Sequence, residues 1–374
     1  MIMTSAISAR AAVVRSSHAP LRIERVTIEA PRSDEVLVRL VATGICHTDM
    51  VMRDQALPTP QPVVLGHEGA GIVEAVGADV THVRPGDHVV LAFNSCGHCA
   101  SCNDHAPAYC VEFAQRNFMG SRPDGTSPLS GAGGLIHANI FGQSSFATHA
   151  IARGRNTVKV SSDAPLERLG PLGCGIMTGA GAVMNALQVR AGSSIAISGT
   201  GAVGLSAIMA AKVVGAATII AIDINESRLD LARELGATHT MLASSPDLAA
   251  GLAEASAGAL NYAIDSTARP GVIRAAADAL GRRGILGLVG ASAPGDELSF
   301  DAASIRDGGR VVRGIVEGDA DPQVFIPKLV ALHAEGRFPF DRLIRYYPFE
   351  NINEALSDAE QGRTVKPVLR IGTI

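Results

Sequence analysis

The sequence predicts an α/β protein in two parts: a β-rich domain, and a doubly wound, parallel, six-stranded sheet flanked by helices. Three observations carry this. Up to about residue 170 the chain reads as β-branched runs separated by turns, with no dominant helical period. From Gly170 onward strand-like and helical segments alternate. Within that half, Ile195–Asp223 forms one strand–turn–helix–strand unit with glycines at 199, 201 and 204. A length of 374 residues suits two domains and a large core.

In the first half, strand patterns occur at Ala11–Arg15 and Glu35–Thr43, the second alternating as a half-buried strand should. Gly71–Val76 and His88–Ala92 follow, joined through the turn Arg84-Pro-Gly-Asp87. In the second half the strands are expected at Ile195–Ser198, Thr218–Ile222, Thr238–Leu242, Tyr262–Asp265, Gly284–Gly290 and Arg310–Val316. Helices fall at Val203–Val214, Glu226–Leu235, Pro246–Ser256 and Pro270–Leu280. The tail reads as a helix (Pro322–Glu335), a strand (Leu343–Pro348), a helix (Phe349–Gln361) and a strand (Lys366–Ile371). Six strands already complete the parallel sheet, so the tail is expected to rejoin the β-rich part.

Composition excludes several classes. Hydrophobic residues make up 47% and there are 40 glycines, but aromatics are only 4% and tryptophan is absent, which suits close-packed Ala/Val/Ile/Leu layers. Net charge is −4 with no basic run, so nucleic acid is not an expected partner. Leu169–Val189 and Ala191–Ala211 are uncharged but rich in Gly and small polar residues, and read as buried core, not membrane spans. Arg10 and Arg15 interrupt the N-terminal apolar residues before a signal-peptide core forms. The expectation is a soluble, cytoplasmic protein.

The Gly-x-Gly-x-x-Gly turn is a dinucleotide fingerprint. Gly199 turns the chain out of the strand, Gly201 lets backbone approach a pyrophosphate, and Gly204 lets helix and strand pack closely. Ala202 and Val203 then open the helix and offer its first N–H groups to phosphate. Asp223, ending the second strand, is placed to accept from ribose hydroxyls and to repel a 2′-phosphate, which favours NAD over NADP.

The six cysteines point to metal. Cys96, Cys99, Cys102 and Cys110 are separated by two, two and seven residues, enough to close a tetrahedral, structural zinc shell on one loop. An iron–sulfur cluster is the chemical rival, and it would be coloured. The other two cysteines are dispersed: Cys46 in Gly-Ile-Cys-His-Thr-Asp and Cys174 in Gly-Cys-Gly. With His67 of Gly-His-Glu-Gly they make two thiolates and one imidazole, which leaves a zinc one open position for chemistry. Each alone is compatible with an ordinary core residue; jointly they account for every cysteine in the chain. Asp49 fits a hydrogen-bond acceptor for the second nitrogen of His67, and Glu68 an outer-sphere or exchange ligand.

These motifs, in this order, resemble the zinc-dependent medium-chain alcohol dehydrogenases along essentially the full length. Gly-Ile-Cys-His-Thr-Asp (44–49), Phe-Gly-Gln-Ser-Ser-Phe (141–146), Leu-Gly-Pro-Leu-Gly-Cys-Gly (169–175) and Gly-Arg-Phe-Pro-Phe-Asp (336–341) are most similar to the aryl-alcohol (benzyl alcohol) and geraniol dehydrogenase branch. The resemblance implies a GroES-like catalytic domain over residues 1–178 with 321–374 returning to it, and a Rossmann domain over 179–320. It implies two zinc ions per chain, the catalytic one on Cys46, His67 and Cys174, and NAD as cofactor. Thr48 is expected beside the reacting oxygen, His47 and Lys366 at the pyrophosphate, and Arg228 near the adenosine ribose. Phe93, Ile140 and Phe141 are expected to line the substrate pocket.

The implied reaction is reversible oxidation of a primary aromatic or allylic alcohol to its aldehyde, by a homodimer or homotetramer. One departure stands out. Many relatives carry a histidine three residues after the Thr48 position to end a proton relay, and here that residue is Val51. The proton then leaves through His47 or directly to water. A second reading is a glutathione-dependent formaldehyde dehydrogenase, to which Asp-Gly-Thr-Ser (124–127) is similar, although Gln55, Ala56 and Leu57 stand where acidic residues are expected. A third is a non-catalytic zinc-binding relative.

Overall fold

The computed structural model describes residues 5–293 and 295–372. The chain divides into two compact units, Met1–Cys174 with Asp321–Ala334 and Asp341–Ile374, and Gly175–Ala320 with Glu335–Phe340.

The first unit is built from a five-stranded and a seven-stranded sheet. The five-stranded sheet runs in the order Val63–Val64, Ile7–Val14, Arg22–Ile28, Leu129–Gly131, Gly134–Ile136. At the centre of the larger sheet is Glu35–Gly44. It pairs antiparallel with Gly69–Val76, with His149–Arg153 and with Lys366–Arg370. The tail therefore does return here, and Ile344–Pro348 extends the sheet by pairing parallel with Lys366–Arg370. The strand is buried on both faces, not half-buried as its alternation suggested, because further elements cover its second face: Leu37 and Val41 are buried there, while Val36, Val38 and Leu40 join Val73, Val83, Val89, Leu91, Ala150 and Ala152 in one core cluster.

Register brings the sequence motifs to one end of this sheet. Thr43 lies opposite Gly69, and Val368 opposite Gly44. Cys46, the His67–Glu68 pair and Lys366 thus all sit within three residues of neighbouring rungs. The cis peptide Gln61–Pro62 precedes the short strand that leads into Gly66 and His67.

The second unit contains a six-stranded, wholly parallel sheet. Its order is His239–Leu242, Thr218–Asp223, Ser194–Ser198, Leu260–Asp265, Leu280–Leu288, Val311–Gly314. That is the doubly wound order in which chain direction reverses beside the first strand. The helix Ala202–Val213 is buried from Gly204 through Ala211. Asn225 caps the helix Glu226–Leu235 by accepting from Ser227 N, and Gly236, at φ 131°, ends it.

The second unit runs from Gly175 to Ala320, against an expected 179–320, and also takes in Glu335–Phe340. The second unit begins at Gly175 because the helix Gly175–Gly181 packs on Ala202–Val213: a Cβ on Gly179 would lie 1.9 Å from Val203 O. Glu335–Phe340 also groups with the second unit, where Phe338 and Phe340 are fully buried, although the surrounding tail belongs to the first. Among the described residues no helix is long and apolar enough to cross a membrane.

Candidate active site

Cys46 follows the end of the central strand and caps the helix His47–Arg53. Asp49, in the first turn, reaches back: its Oδ2 accepts from Cys46 N at 2.9 Å. Its Oδ1 accepts from Gly66 N at 3.0 Å and lies 3.0 Å from His67 Nδ1. A buried carboxylate there fixes the proton on Nδ1 and leaves the Nε2 lone pair pointing the other way. His67 Nε2 is buried and has no hydrogen-bond partner in the structure.

Cys174 arrives from a different direction. It joins a 3₁₀ turn at Gly170–Gly173 to the next helix, with φ −146° and ψ −103°. The glycines around it are needed for close approach. A Cβ on Gly170 would lie 2.2 Å from Glu68 O, and one on Gly173 2.1 Å from Leu91 O. The ligand atoms of Cys46, His67, Glu68 and Cys174 all lie within 4.8 Å of one another. The expected triad is therefore brought together, with Glu68 beside it. The Cys174 hydrogen bond holds the Cys46 thiol well below the usual thiol range against the effect of burial, and His67 adds to it. Burial opposes a charged His67, yet Asp49 and then Cys46 hold its pKa well above the usual imidazole range. These are the electrostatics of a donor set that favours positive charge at its centre. Two thiols and an orphaned imidazole nitrogen fit a zinc ion, with Glu68 as the fourth donor close by.

Lys366, expected at the cofactor pyrophosphate, has a buried ammonium that meets two groups of the first unit. Nζ donates to Glu68 Oε1 and Oε2 at 2.7 and 2.9 Å, and to Ile45 O at 3.1 Å. Burial raises the Glu68 pKa to about 7, against the pull of Lys366. The lysine ammonium, by contrast, is held above its ordinary value by Glu68 despite burial. Gly44 leaves room for this pair, since a Cβ there would lie 1.9 Å from Glu68 Oε2. His47 is exposed, and Thr48 is half-buried with Oγ1 3.9 Å from Cys46 Sγ.

Phe141 stacks on the His67 ring, with centroids 4.5 Å apart and planes 22° from parallel. Its φ of 50° and ψ of 32° are uncommon for a bulky residue. Ile140 and Phe93 are buried in the same unit. Sequence reasoning missed what holds this loop. Gln143 accepts from Gly69 N at 3.0 Å and donates to His67 O at 3.0 Å, bridging the two segments. Asn156 donates to Ala92 O, Phe141 O and Gly142 O. Gln143 lies in the string Phe-Gly-Gln-Ser-Ser-Phe already singled out, but neither it nor Asn156 shows in sequence which backbone groups it bridges.

The four remaining cysteines also converge, with their sulfurs within 4.8 Å of one another and none in a disulfide. Backbone N–H groups of Cys96, Gly97, Cys99 and Glu112 point at these sulfurs. Such bonds draw Cys99 down to about 6, whereas burial pushes Cys110 up to about 12. The shell has no open protein-side position, as a structural site requires.

In the second unit, Gly199 has φ 87°, and a Cβ on Gly204 would lie 1.7 Å from Gly199 O. Gly201 is different: the nearest heavy atom to a Cβ there is Arg228 Nη1 at 3.6 Å, so that space is open and faces a cation. Gly201 caps the helix that begins at Ala202 and Val203. Asp223 Oδ2 accepts from Thr200 N and Oγ1 at 2.6 and 2.7 Å, which locks the carboxylate to the glycine turn. Thr200, inside the motif but not at a glycine position, was the residue missed here. Ile224, next to Asp223, is 82% exposed.

Residues 32–162 match the alcohol dehydrogenase GroES-like domain, and residues 202–334 the zinc-binding dehydrogenase family. The chain is 49% identical to geraniol dehydrogenase of Castellaniella defragrans, over 97% of this chain and 98% of that one. It belongs to the zinc-dependent medium-chain alcohol dehydrogenases. Two solved structures of the family agree along the whole length. An alcohol dehydrogenase zinc-binding domain protein from Burkholderia ambifaria has 54% identity and a TM-score of 0.97, covering 99% of this chain and 100% of that one. Benzyl alcohol dehydrogenase of Acinetobacter calcoaceticus has 48% identity and a TM-score of 0.95, covering 98% and 100%. The two converged cysteine sites of this alcohol dehydrogenase are thus the natural places for its zinc.

Proposed function

We propose that this dehydrogenase oxidises primary aromatic or allylic alcohols to aldehydes, reversibly, with NAD as hydride acceptor. The observation that carries the reading is the meeting of Cys46, His67 and Cys174, with a buried, unpartnered His67 Nε2 and an aromatic ring stacked on the imidazole. The names of its relatives at 48 and 49% identity support the substrate class.

Cys46, His67 and Cys174 would hold the catalytic zinc, which supplies Lewis acidity that lowers the alcohol pKa towards neutrality. The nicotinamide supplies the hydride acceptor. The protein's own work is positioning and proton handling. Asp49 fixes the His67 tautomer. Thr48 Oγ1, 3.9 Å from Cys46 Sγ, would relay the alcohol proton by accepting it while giving up its own to His47 or to water, since aliphatic Val51 cannot carry it further. Asp223, with Oδ2 held by Thr200 and Oδ1 by Asn225 N, favours NAD over NADP, and Arg228 lies beside the phosphate turn. We further read the protein as a cytoplasmic homodimer or homotetramer; the strand Val311–Gly314, at the sheet edge with Val311 exposed, supports self-association.

The test is steady-state oxidation of benzyl alcohol and geraniol with NAD and with NADP, without glutathione. Turnover with NAD, abolished in Cys174→Ser while NADH binding persists, is expected. No turnover of either alcohol, or wild-type turnover in Cys174→Ser, would overturn the assignment.

A further inference from the structure

The chain has ten phenylalanines, and four of them form an unbroken line of ring contacts that ends on His67. Phe141, stacked on His67, meets Phe118 edge-on at 5.3 Å and 80°. Phe118 meets Phe113 at 5.9 Å, and Phe113 meets Phe93 at 5.7 Å. Phe113 and Phe118 belong to a segment, the short helix Phe113–Asn117 and the residue after it, that follows the last cysteine of the four-Cys loop.

This segment is inside out. Arg116 and Asn117 are buried, whereas Phe113 and Phe118 keep part of their surface exposed. The inversion has a cause. Asn117 accepts from Asn94 N at 2.8 Å and donates to Asn94 O at 2.9 Å, a two-point amide clamp onto the residue after Phe93. Arg116 pairs with Glu112 at 2.6 Å. The polar side chains tie the segment down, and the Phe118 ring is left against Phe141, with Phe113 behind it. On the other side, Phe141 is held in its left-handed conformation by hydrogen bonds from Asn156 to its own carbonyl and to that of Gly142. Strained backbone held this firmly gathers where a side chain has a task. Phe93 and Phe141 are buried at the two ends of the line, and only the Phe113 and Phe118 rings between them keep exposed surface.

We propose that Phe118 is a specificity-determining residue: its ring forms a side wall that, with Phe141, selects alcohols carrying a planar, unsaturated group over saturated ones of equal size. Edge-to-face and offset contacts reward a flat π system and give nothing extra to a puckered ring. This inference rests on the functional reading above, and the experiment separates the two.

The pair to use is benzyl alcohol and cyclohexylmethanol, matched in carbon skeleton and differing in planarity. The kcat/KM of each is measured with NAD for wild type, Phe118→Leu, Phe118→Ala and Phe118→Tyr, with zinc per chain as the check of folding. Phe118→Leu keeps bulk and removes the ring, so benzyl alcohol is expected to lose about 10-fold and cyclohexylmethanol less than about 3-fold. Phe118→Tyr should restore the wild-type ratio. An unchanged ratio in Phe118→Leu, with benzyl alcohol still turned over by wild type, overturns this inference and leaves the functional reading intact. A wild type that oxidises neither alcohol overturns both.

Discussion

Asp49→Asn tests whether one carboxylate organises the site. The carboxylate is 1% exposed and serves three groups: Cys46 N–H at 2.9 Å, Gly66 N–H at 3.0 Å and His67 Nδ1 at 3.0 Å. An asparagine has one acceptor oxygen and one NH₂. If the oxygen stays on Gly66 and His67, the NH₂ faces the Cys46 N–H, donor against donor. If the amide flips, the NH₂ faces His67 Nδ1 and drives the ring proton to Nε2, the nitrogen a metal needs. Each lost bond to a charged acceptor is worth about 1.5–3 kcal/mol. Hydrogen-bond partners of a metal-bound histidine are worth about 10- to 100-fold in metal affinity, or about 1.4–2.8 kcal/mol. We therefore expect Asp49→Asn to remain folded, to lose one zinc of two to a competing chelator at a 10- to 100-fold lower chelator concentration, and to keep the zinc of the four-Cys loop. Zinc release followed with a chromogenic chelator, beside residual turnover, reads this directly. Release identical to wild type, or equal loss from both sites, would refute the reasoning.

Two further substitutions probe other parts. Lys366→Met leaves Glu68 buried without its counter-charge, which should destabilise the first unit by about 3–5 kcal/mol, while Glu68→Gln/Lys366→Met recovers most of that; urea melts of the zinc-loaded enzyme decide it, and a single variant as stable as wild type would remove the ion pair from the account. Gly204→Ala forces a methyl against Gly199 O, so the helix must shift away from the turn; NADH binding followed by fluorescence should weaken about 10-fold or more with zinc content unchanged, and unchanged binding would show that helix packing does not shape the turn.

Much of the fold was legible because its signals are local and periodic. The alternating run from Glu35 and the strand–turn–helix at Ile195 declare themselves within a dozen residues, and the helix at Glu226–Leu235 matches its expected span. The zinc ligands were legible for a different reason: cysteine and histidine are scarce and chemically particular. Strand Arg22–Ile28 was missed because charge interrupts its apolar pattern every second or third residue. The Lys366–Glu68 pair was not legible, because nothing local reveals that a glutamate some three hundred residues earlier meets the lysine on an adjoining strand end. Gln143 and Asn117 act through hydrogen bonds to distant backbone, and Thr200 through the Asp223 carboxylate; an amide or hydroxyl does not announce its partner.

The alternation of Val36, Val38 and Leu40 is a packing device, yet it also times the chemistry. Sliding Glu35–Gly44 one residue along Gly69–Val76 would carry Val36, Val38 and Leu40 off the face they share with Val73, Val89 and Leu91, and would shift the imidazole relative to Cys46 by about 3.3 Å. No such slipped form can hold both a closed interior and a closed ligand set. The greasy stripe of the sheet thus acts as the alignment jig for the metal, and errors in one are punished through the other.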